Sequence, residues 1–143
     1  MSTYNEAYLP DAMDNLGGAF DYVANDCNID KDKFYDLFVQ TGVADQFQIG
    51  NCRVVAGMSG AELVMEVLSK CNYPISFPKP GVRFTPTRDY WCGWILAYYQ
   101  WRTGRSFRDI HKRISMSDLE KLYNPFHEAD EEKFVDFMEC DTL

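Results

Sequence analysis

Arg102, Arg105, Arg108, Lys112 and Arg113 crowd five cations into one short stretch of the chain, directly after a run of aromatic side chains. Guanidinium and ammonium groups at this density bind anions: the carboxylates of a protein surface, a phosphate, or a nucleic-acid backbone. The wider segment from Arg83 to Arg113 holds all three tryptophans (Trp91, Trp94, Trp101), five further aromatics and seven of the fourteen basic residues. Its charge differs sharply from that of its flanks. Residues 1–50 carry −7, residues 51–82 carry +1, residues 83–114 carry +5 and residues 115–143 carry −7. A basic segment between two acidic ones has two uses: its cations dock an acidic partner or a phosphate, or they pair with acids of their own chain.

Nucleic acid is the first anion to weigh. Residues 106–123 read SFRDIHKRISMSDLEKLY, two short helices joined by a tight turn, as in a helix-turn-helix. In that motif the second helix enters the major groove and carries Arg, Lys, Asn or Gln. Here it offers Asp118, Glu120 and a single Lys121, so its acids repel phosphates. A net charge of −8 and a pI near 4.6 also disfavour nucleic acid and favour a partner with a basic surface. A helix-turn-helix-like regulator using residues 102–113 therefore stands as the alternative to a protein-interaction module. A nucleobase-stacking platform built from the tryptophans is a more remote use of the same aromatics.

Catalytic and metal chemistry find little to work with. The chain has no G-x-S-x-G, P-loop or G-x-G-x-x-G pattern, so the expectation is a non-enzymatic protein without cofactor. The two histidines are His111 and His127. His127, Glu128 and Asp130 lie close in sequence, but zinc needs three or four ligands at helical or knuckle spacing, and H-E-x-x-H is absent. Acids at a helix start are explained by capping and the helix dipole. The five cysteines (Cys27, Cys52, Cys71, Cys92, Cys140) show no C-x-x-C spacing and no secretory signal precedes them, which reads as free thiols in a reducing cytosol. The longest apolar run, Tyr90 to Trp101, includes Gln100 and is short of a bilayer span.

The elements that must position these residues read as helices. Met13, Leu16, Phe20, Val23 and Cys27 recur at three- and four-residue intervals and predict a helix from Pro10 to Cys27. Gly17 and Gly18 weaken its middle and invite the close approach of another helix. Further helices are expected over Asp30–Gly42, Val43–Ile49, a stretch to Cys71 opened by the Ser59–Glu62 capping box, Thr87–Thr103, Ser106–Arg113, Ser117–Tyr123 and Glu128–Cys140. Arg53-Val54-Val55 has strand-like residues but is too short to predict a sheet, and Pro125 is expected to break the short helix that runs to Tyr123. Pro74, Pro78, Pro80 and Pro86 mark residues 72–87 as a linker or long surface loop. The fold class is all-α: one compact bundle of seven to eight helices, residues 1–143 in a single domain. The central helix is the aromatic one, because a helix apolar nearly all round is buried.

Several phrases together resemble a known family: YLPDAMDNLGGAFDY, GMSGAELVMEVL, YWCGWILAYYQWRTGRSF and LYNPFHEAD. Over residues 8–138 the chain resembles a family of small, largely uncharacterised helical proteins from gut clostridia. Genes of that family often lie beside one for an ADP-ribosyltransferase-like protein, as in a toxin–antitoxin cassette. The resemblance implies an antitoxin or accessory protein and carries over no catalytic residues. Its recurring positions match Tyr90, Trp91, Trp94, Tyr98, Tyr99, Trp101, His127 and Glu128. The combined expectation is an acidic, cytoplasmic protein-interaction module that neutralises a basic partner. Arg102, Arg105, Arg108, Lys112, Arg113, Tyr99, His127 and Glu128 are its candidate partner-binding residues.

Overall fold

Helix α1 (Leu9–Asn25) buries Ala12, Leu16, Ala19, Phe20 and Val23, the stripe that a 3.6-residue period places on one side. In the computed structural model, which describes residues 3–140, it forms the spine of the molecule. It runs between α5 (Gly60–Lys70) and α6 (Arg88–Thr103), its two most extensive neighbours. Both crossings bring backbone against backbone. A Cβ on Gly93 of α6 would lie 2.2 Å from the Leu16 carbonyl oxygen, and one on Gly60 of α5 would lie 2.4 Å from the Ala19 nitrogen. Gly17 faces α6 and Gly18 faces Gly60, so the glycine pair expected to weaken α1 is what lets two helices close on it. The aromatic helix α6 thus shares the centre with α1.

Element ends follow their caps. Asp30 accepts from the Lys33 N–H and opens α2 (Lys31–Gln40). Gly42, at φ +83°, leads into α3 (Val43–Gln48). Ser59 and Glu62 form the reciprocal capping box at α5. Thr87 caps α6, and Gly104 ends it in the left-handed conformation at φ +75°. Ser106 caps α7 (Phe107–Arg113). Phe107 inserts its ring among Phe38, Phe47 and Tyr35, and the Tyr35 hydroxyl donates to its carbonyl at 2.6 Å.

Ten α-helices and a 3₁₀ turn (Glu6–Tyr8) are present among the described residues, more than the seven or eight expected, and no strand. The strand-like Val54-Val55 lies in a one-turn helix, α4 (Cys52–Val55), opened by Asn51 with both valines buried. The helix expected over Ser117–Tyr123 already ends at Glu120, so Pro125 is not what stops it; Pro125 sits inside the short α9 (Tyr123–Phe126), whose single turn asks little of the missing N–H. The capping serine of α8 (Met116–Glu120) is Ser115, not Ser117. Asp32 of α2 accepts from the Ser117 hydroxyl and from the Met116 and Ser117 N–H groups, so Ser117 is already engaged. The last helix, α10 (Glu131–Glu139), starts three residues later than expected because Asp130, not an earlier residue, caps it.

One buried cluster runs from Leu9 to Met138 across both halves of the chain. The proline-rich stretch between the halves is strapped to the polar edge of α1. Tyr22 donates to the Pro78 carbonyl at 2.6 Å, Asp26 accepts from Gly81 and Arg83, and Asp21 accepts from Arg83 and the Thr87 hydroxyl. At the junction of α2, α6 and α8, Lys31 lies 2.6 Å from both Asp89 and Glu120. Burial works against its charge, but the two carboxylates more than offset this and its pKa is raised.

Candidate functional site

The basic segment starts in the last turn of α6 and runs through α7, and α10 lies across it. Arg105 grips Glu139 with two hydrogen bonds, Nη2 at 2.8 Å and Nε at 3.2 Å. Arg113 reaches the same carboxylate at 3.4 Å and donates to the Met138 carbonyl at 2.9 Å. The Tyr99 hydroxyl completes the set, donating to Glu139 at 2.5 Å. Burial raises the Glu139 pKa, yet the hydrogen bonds from Arg105 and Tyr99 and the nearby cations hold it below its ordinary 4.5. Burial also pushes the Tyr99 phenol up to about 12, with the Glu139 charge adding to it. One turn earlier, Arg102 meets Glu132 at 3.1 Å, and Tyr98 donates to that carboxylate too. Four of the eight sequence-derived site residues, Tyr99, Arg102, Arg105 and Arg113, therefore meet the acids of the C-terminal helix.

The remaining four lie elsewhere. Arg108 and Lys112 project from α7 towards α2, beside a shallow pocket of about 230 Å³ that also contacts Asp36, Gln40 and His111. Lys112 stands 3.9 Å from Asp109, both well exposed, and among the described residues Arg108 has no carboxylate in ion-pair range. His111 bridges the two helices: it is 2.9 Å from Asp32 and 3.4 Å from Asp36, and it stacks on the buried Tyr35 ring at 4.0 Å. The carboxyl of Asp32 is raised by burial, but His111, Met116 and Ser117 together hold it below its ordinary 3.8. These contacts lock α7 and α8 to α2. His127 and Glu128 follow the short α9, which packs on α6 and α10. The His127 ring stacks on Tyr123 at 4.0 Å, and Glu128 has 88% of its side chain exposed.

His127 marks a feature that charge counting passed over. Thr85, Pro86, Tyr90, Trp91, Trp94, Tyr123 and His127 line an open groove of about 460 Å³. It lies at the N-terminal half of α6, away from the paired arginines. Arg88 stands over the Tyr123 ring, 5.2 Å from its centroid, and the Tyr90 hydroxyl donates to Asp14. The groove needs the loop end, α6 and α9 together, and these meet only in the folded chain. Its sequence signal was the half-buried Trp94, whose place on the aromatic face read as core.

The described residues hold no group of three or more His, Cys, Asp or Glu that could bind a metal ion. No helix among them is long and apolar enough to cross a membrane. Cys92 is fully buried, and burial pushes its thiol up to about 12, which suppresses nucleophilic reactivity. Comparison with protein-family models, with curated proteins and with solved structures gives no match to this chain.

Proposed function

We propose that this chain is a non-enzymatic, acidic protein-interaction module that acts in the cytoplasm, where it covers the basic surface of a protein partner as an antitoxin or inhibitor does. The observation that carries the reading is the closure of Arg102, Arg105 and Arg113 on Glu132 and Glu139. The one basic region of an acidic chain is thereby largely satisfied from within, while acids such as Glu128 and Asp36 face solvent. Surfaces of this kind steer and dock cationic partners, and the attraction fades with salt. The helix-turn-helix alternative draws less support, because α8 presents Asp118 and Glu120 and three of the arginines it would need already hold carboxylates.

Co-expression with the product of the adjacent gene, followed by size-exclusion chromatography at rising ionic strength, tests the proposal. The expected result is a complex at low salt that weakens steeply as salt is added. Absence of any complex at low salt would sink it.

A further inference from the structure

The groove at the N-terminal half of α6 leaves part of the Trp94 and Tyr90 surface open, although both side chains also pack on the body of the protein. Trp91 has the rings of Tyr123 and Phe134 against it, and Trp101 has that of Tyr98. Among the described residues no ring packs on Trp94, and no acceptor takes its indole N–H. The approach is apolar as well: on the loop just before Thr85, Val82 is 84% and Phe84 97% exposed. Large apolar side chains fully in water beside an aromatic groove mark an interaction surface.

The charges at the rim select the occupant. Asp14 accepts the hydroxyl of Tyr90, a lining residue, and the exposed carboxylate of Glu128 lies 4.0 Å from the ring of His127, another lining residue. Arg88 is the one rim cation among these groups, and its guanidinium already lies over Tyr123. Open aromatic faces with carboxylates beside them favour a cation, and a planar guanidinium stacks on a ring while its N–H groups reach a carboxylate. An anion or a nucleotide phosphate would meet Asp14 and Glu128 instead.

Resting on the reading of this chain as an acidic module for a basic protein, we propose that this groove seats an arginine side chain of that partner. The guanidinium lies on Trp94 and Tyr90 and is answered by Glu128 and Asp14, while Val82 and Phe84 cover the adjoining backbone.

Titration of the ¹⁵N-labelled full chain with tetra-arginine amide at low salt tests this, read at the tryptophan indole N–H resonances. Trp94 should shift and Trp101 should not. Trp94→Leu should weaken binding about tenfold and Glu128→Gln about threefold, whereas Asp136→Asn on the outer face of α10 should leave it within about twofold. Should Trp94→Leu fail the circular-dichroism check for folding, Glu128→Lys at an exposed position carries the same test, with an expected loss of about tenfold. Shifts confined to other acidic faces, with unchanged affinity in these variants, would overturn the groove and leave the acidic-module reading standing. No shift anywhere at low salt would remove both. Adenosine monophosphate moving the Trp94 resonance at lower concentration than tetra-arginine would replace the arginine with a nucleotide.

Discussion

At the C-terminal end of α6, Tyr99, Arg105 and Arg113 converge on Glu139; at its N-terminal end, Tyr90 and Trp94 line a groove where, among the described residues, no other ring packs on Trp94. Both ends are aromatic and both carry arginine. They differ in what the next element brings: α10 supplies two carboxylates to one end, while a loop and the single turn of α9 leave the other open. A dense row of cations is thus a poor guide to function when an acidic segment of the same chain can fold back on it. The unsatisfied end is the one with fewer charges.

Both ends hang on the packing of α6 against α1, so the largest expected effect is common to them. Gly93→Ala places a methyl 2.2 Å from the Leu16 carbonyl oxygen, and backbone must move to admit it. The expected loss is about 3 kcal/mol or more, seen as a lower urea midpoint with the Trp94 and Trp101 indole resonances disturbed together. A variant that disturbed one end alone would show that the ends are built independently. Next in size is Lys31→Met, which strips Asp89 and Glu120 of their shared cation. Asp89 is only 16% exposed, so about 2–3 kcal/mol should be lost, less than for a fully enclosed pair because Glu120 is 39% exposed. A loss below about 0.5 kcal/mol by chemical denaturation would mean that the junction of α2, α6 and α8 holds without it.

The helices that frame this comparison were legible because their signals are local. The apolar period of α1, the Ser59–Glu62 box and the pairing of Thr87 with Gly104 each sit within a few residues of what they determine. Four-residue helices such as α4 and α9 have no period to read. At α8 the frame from Ser117 to Glu120 reads as a capping box, but Ser115 is the cap, because Asp32, far away in sequence, already holds the Ser117 hydroxyl. The charged end was legible as one of two options, since acids and arginines could be counted but not paired. The groove was not, because Thr85, Trp94 and Tyr123 become neighbours only through the strap of the loop to Asp21 and Asp26 and the packing of α9 on α6.

Glu139→Gln separates the two ends. It removes the charge that Arg105 and Arg113 share and weakens the acceptor of Tyr99, at a cost of about 1–2 kcal/mol near neutral pH, discounted because about a third of the side chain is exposed. The Trp94 indole resonance should not move. Acid adds a second readout. The folded carboxyl sits below its ordinary 4.5, so the unfolded chain takes up the proton first. Its stabilisation is complete above that value and is lost as pH falls through the lower folded one. Asp26, held below 3.8 chiefly by its hydrogen bond with Arg83, behaves alike. The wild-type and Glu139→Gln stability curves should therefore converge below about pH 4, with the variant the less steep. Parallel curves would mean that Glu139 does not carry the acid sensitivity of this end.

The smallest expected effect belongs to Arg108→Glu, and it bears most directly on what the basic segment is for. Arg108 is exposed and has no carboxylate in ion-pair range among the described residues, so its reversal should change stability by less than about 0.5 kcal/mol. The readout that matters is binding. If the open end of α6 is the working surface, tetra-arginine affinity stays within about twofold of wild type, because the substituted residue lines a different pocket, with Asp36 and His111, from that of Trp94. If instead residues 102–113 serve a nucleic acid, duplex DNA should shift the Trp101 resonance of the wild-type chain at low salt, and the reversal should abolish that shift along with part of its salt dependence. With Arg102, Arg105 and Arg113 already on carboxylates, Arg108 and Lys112 are the cations such a surface would have to rely on. Two neighbouring charges on a seven-residue helix release few counterions, so the expected DNA shift is absent and the difference between the two ends of α6 holds.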